Sequence, residues 1–235
     1  MKAWEDPRVV RGMEAQLARR RERIVAGETP LGWKLGFGAP ATMEMLDLTG
    51  PLVGYLMQSA LLASGARVNV KGWTQVVVEP EIAVRLGTDL AANAAPADAQ
   101  AAIASLTPAI ELADLNIAPT KENIEAVLAR DIYQRHVVLG ADSRDGGDTA
   151  GLSSHVFRRG EPAAETDDPQ ALTGHIPDLL VHLAGMLAAF GERLKGGDLI
   201  ICGSTVPPLT IEADETEVRY ELRPIGTVSV GFARS

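Results

Sequence analysis

At 235 residues, with 46% hydrophobic and 23% charged side chains, the chain can build one sizeable core and is too ordinary in composition for wholesale disorder. A formal net charge of −9 argues against unaided binding to nucleic acid or anionic membranes, and a single cysteine, Cys202, excludes an intrachain disulfide. Aromatic residues make up only 4%, so the core has to come mainly from Ala, Leu, Val and Ile.

No apolar run nears the roughly 18 residues of a membrane span. The start Met1-Lys2-Ala3-Trp4-Glu5-Asp6 lacks a signal-peptide pattern. With one cysteine, the expectation is a soluble, cytoplasmic protein. From Asp6 to Ala26, Val10, Met13, Leu17 and Ile24 recur at near-helical spacing among arginines. Asp6 suits the cap, Pro7 the first turn and Gly27 the end. The run Arg19-Arg20-Arg21 reads as a solvated helix face. Gly32-Trp33-Lys34-Leu35-Gly36-Phe37-Gly38 is apolar and punctuated by glycines, but does not match the G-x-G-x-x-G dinucleotide pattern. A lysine in such a segment either snorkels outward or serves a site.

Val68 to Leu86 reads as strands with a turn at Lys71-Gly72, centred on Val78-Glu79-Pro80-Glu81-Ile82. Residues two apart on a strand share a face, so Glu79 and Glu81 converge. Either they are solvated on a half-exposed strand, or something positive compensates them. A hard divalent cation does this most cheaply, through carboxylate oxygens. Pro80 cannot donate to a ladder, which predicts an edge, a bulge or a strand end here. Residues 91–104 read as a loop entering a short helix, and Ile110 to Leu115 as a second strand, with Glu111 and Asp114 on opposite faces. Thr120 suits the cap of a helix over 121–129.

Residues 142–149 and 161–168 read as polar links. Ile176 to Leu194 is an amphipathic helix with Leu179, Leu183, Leu187 and Phe190 on one stripe. Leu199 to Cys202 is a buried strand. Val218, Tyr220 and Leu222, then Val228, Val230 and Phe232, alternate as two more. His136, His155, His175 and His182 lie in separate segments without metal-ligand spacing. Gly151-Leu152-Ser153-Ser154-His155 misses the nucleophile elbow of serine hydrolases. Together these signals give an α+β class, with residues 1–66 as a helical and lid segment packed on a core of 67–235, effectively one domain.

Gly32-Trp33-Lys34-Leu35-Gly36, Val78-Glu79-Pro80-Glu81-Ile82-Ala83, Glu111, Gly197-Asp198-Leu199-Ile200-Ile201-Cys202-Gly203-Ser204 and Gly226-Thr227-Val228-Ser229-Val230 occur in one order. That order resembles the fumarylacetoacetate hydrolase superfamily, and more closely its 2-keto-4-pentenoate hydratase and 4-oxalocrotonate decarboxylase branch. The resemblance implies a mixed β roll, with Mg²⁺ or Mn²⁺ held by Glu79, Glu81 and Glu111 and with Lys34 as the catalytic lysine. It also implies Leu56, Gln58, Ser59 and Ser204 beside a small 2-oxo or 2-hydroxydienoic acid, and a homo-oligomer. The reaction implied is decarboxylation or hydration, as in meta-cleavage aromatic catabolism. The alternatives are an acylpyruvate-type C–C hydrolase and a non-catalytic subunit serving a pathway partner enzyme. The chain departs from the branch where an acidic pair gives way to Gly54-Tyr55-Leu56-Met57-Gln58-Ser59, and where Arg130-Asp131-Ile132-Tyr133-Gln134-Arg135-His136 replaces an Asp-Asn-Ala-Ser-like stretch. Gln58 and Ser59 are poor bases, which favours decarboxylation or enol–keto isomerisation over hydration. Lys34 is expected to contribute to chemistry and little to folding.

Overall fold

The computed structural model of the chain describes residues 2–234. After a 3-10 turn at Ala3–Glu5, helix α1 spans Pro7–Val25. The Asp6 carboxylate caps it by accepting the Arg8 amide at 2.8 Å, and Gly27 leaves it with φ +96°. Its buried stripe is Val9, Gly12, Met13, Gln16 and Leu17, so the face is set by Val9 rather than the expected Val10. Burying each large apolar side chain contributes about 1.5–3 kcal/mol before conformational entropy is counted.

Strand β1 (Pro30–Gly36), helix α2 (Pro40–Leu46) and strands β2 (Leu52–Met57), β3 (Leu61–Ala63), β4 (Ala66–Asn69) and β5 (Val76–Leu86) follow. Helix α3 (Pro96–Ala102) leads into β6 (Ile103–Asp114), then α4 (Ile124–Ala129), β7 (Gln134–Leu139), β8 (Arg144–Asp145), β9 (Ser153–Arg158) and β10 (Glu161–Thr166). The chain ends with α5 (Ile176–Ala189), β11 (Leu199–Ser204), β12 (Leu209–Thr210), β13 (Glu217–Arg223) and β14 (Gly226–Ala233). This is the α+β class expected. Two differences have simple causes. Asn123 rather than Thr120 precedes α4, because the Asn123 side chain accepts the Thr120 amide and holds 120–123 as a turn. Glu161–Thr166 is a strand, not a polar link; lying at a sheet edge with no buried face, it carries no alternation to read.

The larger sheet is mixed, ordered β2-β1-β11-β5-β6-β7-β3, with β12 against β5 and β8 against β6. Its two terminal strands, β2 and β3, are joined by only residues 58–60, so the sheet curls back on itself as a roll. Strands β1, β2 and β3, from the first 66 residues, therefore belong to the same sheet as β5, β6, β7 and β11. Inside the roll, Leu56, Ala83, Ala109, Val137, Leu199 and Ile201 form a small buried cluster. The opposite face, including Val78, Ile82, Ile110 and Leu112, joins the main core. There it meets the second sheet, ordered β10-β9-β13-β14-β4, through Val218, Tyr220, Val228 and Val230. No helix among the described residues is long and apolar enough to cross a membrane.

Candidate metal centre and active site

The β5–β6 register sets Glu79 directly opposite Glu111, and alternation brings Glu81 to the same, inward face. Carboxylate oxygens of the three lie within 4.8 Å of one another, the only such group of possible metal ligands among the described residues. Asp114 falls on the other face, where it accepts the Thr74 and Gln75 amides. Pro80 sits in a central strand rather than at an edge, yet faces an interruption. The β11 register breaks between Ile201 and Ser204, and the Pro80 carbonyl accepts the Thr205 amide at 2.8 Å. The same irregularity puts Gly203 in the left-handed region at φ +93° and aims its amide at Glu81 Oε2, 2.6 Å away.

Lys34 enters from β1, which pairs with β11 on one side and β2 on the other. It is 1% exposed, so it serves the interior instead of snorkelling. Its Nζ ion-pairs with Glu111 and donates to the Ile132 carbonyl at 3.2 Å. Three carboxylates against one ammonium leave two negative charges in excess, a balance a divalent cation would restore. Two buried oxygens, Glu81 Oε1 and Glu111 Oε2, have no hydrogen-bond partner. An all-oxygen donor set with orphaned oxygens fits Mg²⁺ or Mn²⁺.

Burial pushes the Glu79 carboxyl up to about 7, with Glu111 adding to the rise and Lys34 opposing it. Burial also raises Glu81 well above the usual carboxylate range, and raises Glu111 against the pull of Lys34. For Lys34 burial pulls downward, but Glu111, Glu79 and Asp131 together outweigh it and the ammonium is held above its ordinary value. Asp131, buried beside this group, is lifted by burial to about 8.

A cavity of about 290 Å³ opens onto Glu79 and Ser204. Leu35, Phe37, Val77, Leu115, Leu172 and Pro208 form its apolar wall, and Thr42 and Met45 of α2 stand at its side. Among the described residues, Glu79 is the only charged side chain lining it. Ser204 does border the cavity, its hydroxyl donating to the Val206 carbonyl at 2.6 Å. Leu56, Gln58 and Ser59 do not, because β2 runs away from it. Gly54 pairs with Lys34, whereas Met57 pairs with Pro30 at the far end of β1. Leu56 is buried inside the roll, Gln58 is exposed, and the Ser59 hydroxyl donates to Glu28 at 2.6 Å. The four histidines stay apart: His136 stacks on Trp73, His155 meets Ser153, His182 meets the Pro51 carbonyl and His175 precedes α5. Cys202 is buried and its thiol is pushed up by burial, so it is core packing. Sequence reasoning gave no role to Asp131 or the Gly203 amide. An acid followed by Ile132 and Tyr133 was the available signal for the first.

Residues 38–232 match the fumarylacetoacetate (FAA) hydrolase C-terminal family. The chain is 28% identical over 207 residues to 4-oxalocrotonate decarboxylase of a Pseudomonas species, covering 88% of this chain and 80% of that protein. It is 30% identical over 219 residues to 2-hydroxyhexa-2,4-dienoate hydratase of Comamonas testosteroni, covering 90% and 81%. In fold it is similar to 4-oxalocrotonate decarboxylase from Pseudomonas putida complexed with magnesium and adipate, with a TM-score of 0.84 at 23% identity over 94% and 85% of the two chains. It is also similar to fumarylpyruvate hydrolase from Pseudomonas aeruginosa in complex with Mn²⁺ and pyruvate, with a TM-score of 0.68 at 12% identity over 86% and 89%. At those identities the structural likeness speaks for the fold alone.

Proposed function

The chain belongs to the fumarylacetoacetate hydrolase family, and on that premise we propose that it is a divalent-metal-dependent lyase of small 2-oxo and 2-hydroxydienoic acids, as in meta-cleavage aromatic catabolism. The observation that carries this reading is the group Glu79, Glu81 and Glu111, with Lys34 as its ion-pair partner among the described residues, at the head of an apolar cavity. Glu79, Glu81 and Glu111 would hold Mg²⁺ or Mn²⁺, which would supply Lewis-acid stabilisation of negative charge developing on the substrate.

The chain's own residues do the rest. Lys34 lies behind the cavity wall, ion-paired to Glu111, and is our candidate for the proton exchange at C3. The wall of Leu35, Phe37, Val77 and Leu115 excludes water and strengthens every charge interaction inside. The Ser204 hydroxyl, at the cavity edge, can orient a polar substrate atom.

Hydration needs a second base at the far carbon. The cavity offers only hydroxyls and the Gln75 amide besides Glu79. Loss of carbon dioxide needs no such base, and an apolar wall without a cation disfavours the charged carboxylate relative to neutral carbon dioxide. These features favour decarboxylation or enol–keto isomerisation. A C–C hydrolase needs a base for water attack, and no histidine lines the cavity. The reading also includes a cytoplasmic homo-oligomer, supported by the single, buried cysteine and, for assembly, by the family resemblance.

The test is purified protein with Mg²⁺ and a panel of 2-oxo acids. Carbon dioxide release from 4-oxalocrotonate is followed beside water addition to 2-hydroxypenta-2,4-dienoate. Carbon dioxide is expected. Robust hydration without it would reverse the choice of reaction, and inertness toward the whole panel would return the chain to the non-catalytic reading.

A further inference from the structure

Asp131, Ile132 and Tyr133 are three consecutive residues with positive φ, +58°, +49° and +64°. L-residues avoid this region, β-branched ones most of all, and such stretches persist where the surroundings over-determine them. Here the surroundings are Lys34. The turn presents the Ile132 carbonyl inward to accept the Lys34 ammonium at 3.2 Å. It also buries the Asp131 carboxylate, 8% exposed, with Oδ1 accepting the Tyr55 amide at 2.8 Å. Asp131 forms no ion pair among the described residues, and its Oδ1 and the Lys34 stem flank the same glycine, Gly54.

Glycine keeps the space open. A Cβ on Gly54 would lie 2.8 Å from Asp131 Oδ1 and 2.8 Å from Lys34 Cγ. One on Gly36 would lie 3.2 Å from Ile132 Cγ2. The lysine stem, the aspartate and the strained turn thus converge on the empty side of β2. Glu111, the direct partner of Lys34, belongs to the acid group that would hold a cation, whereas Asp131 stands outside it.

We propose that Asp131 is the positioning residue of Lys34: with the Ile132 carbonyl, it retains the ammonium when the Glu111 carboxylate is committed to a divalent ion. The kinetic part of this inference rests on the proposed lyase reading; the structural part does not. Asp131→Asn is the discriminating variant, because the amide oxygen can still accept from Tyr55, while the carboxylate, which a bound divalent cation would favour over its protonated form, is gone.

The chain has five lysines, so ¹⁵N-lysine labelling gives a spectrum simple enough to assign the Lys34 ammonium by its absence in Lys34→Met. In the Mg²⁺-loaded wild type this signal should be protected from solvent exchange, and Asp131→Asn should lose the protection. The variant's Mg²⁺ affinity by calorimetry should stay within about threefold. On any substrate turned over, kcat should fall about tenfold or more with KM changed less than about threefold, the signature of lost transition-state stabilisation. Gly54→Ala, which crowds the same space, should show the same loss of protection. A protected wild-type signal with no turnover of any 2-oxo acid would retain the seat and discard the lyase reading. An unprotected wild-type signal, unchanged protection or kcat in Asp131→Asn, or a collapse of metal affinity in that variant would each overturn the proposal.

Discussion

Because Lys34 is 1% exposed and ion-paired to a fully buried Glu111, it is the counter-charge of the metal-free site. The expectation that it contributes little to folding treats it as a surface or pocket lysine, and its burial removes that premise. Breaking a buried pair leaves an uncompensated charge and costs about 3–5 kcal/mol. Lys34→Met at pH 8 without metal should therefore melt about 6–20 °C below wild type, and Mg²⁺ should close most of the gap. Calorimetric melting with and without the ion checks this; equal melting temperatures without metal would refute it.

The same residues set a pH dependence. Glu79, whose carboxyl burial lifts to about 7, binds its proton more tightly folded than unfolded, and Glu81 and Glu111 shift in the same direction. Stability of the metal-free protein is therefore lost as pH rises from the ordinary carboxylate range through about 7. Melting temperature should fall between pH 5 and pH 8, and saturating Mg²⁺ should flatten or reverse the trend. A metal-free melting temperature that rises across this window would contradict the assignment.

At the scale of elements, what the chain announces is periodicity. Strand β5 is an apolar run buried on both faces, while the pair β13–β14 and helix α5 each bury one face of a regular pattern, so their residues declare them. Glu79 and Glu81 are legible for the same reason, since spacing along one strand fixes their common face. The pairing of Glu79 with Glu111 is not, because register depends on where α3 and its loop let β6 begin. Nor is the break in β11 that faces Pro80, although the proline itself demands some interruption. Lys34 depends on β1 lying close to β11. A Cβ on Gly32 would lie 1.9 Å from the Leu199 carbonyl oxygen. Gly32→Ala should cost about 1–3 kcal/mol, as overpacking typically does, lowering the melting temperature by several degrees, and should weaken turnover with Lys34 itself intact. A variant as stable as wild type would mean that β1 can shift freely and that this close contact is not what fixes the lysine.

On the scale of the whole molecule, curling the sheet joins parts of the chain that no local pattern relates. β1 delivers Lys34, β5 and β6 deliver the acids, β11 supplies the Gly203 amide, and the turn after α4 supplies Asp131. Family resemblance named the acids and the lysine because their motifs occur in order, and the roll brings the three acids together beside Lys34. It did not carry Gln58 and Ser59 to the cavity, since they lie at the wrong end of β2. The apolar wall drawn from β1, β5, the segment after β6 and the loop before α5 is visible only once the roll is closed.

Everything chemical rests on one divalent ion at the three acids, and isothermal titration of Mg²⁺ into metal-free protein tests that directly. Wild type should bind one ion per chain, and Glu81→Ala and Glu111→Ala should each lose most of the affinity while remaining folded by circular dichroism. Equal affinity in wild type and either variant, or no binding by folded wild type, would contradict the metal centre and with it the proposed lyase.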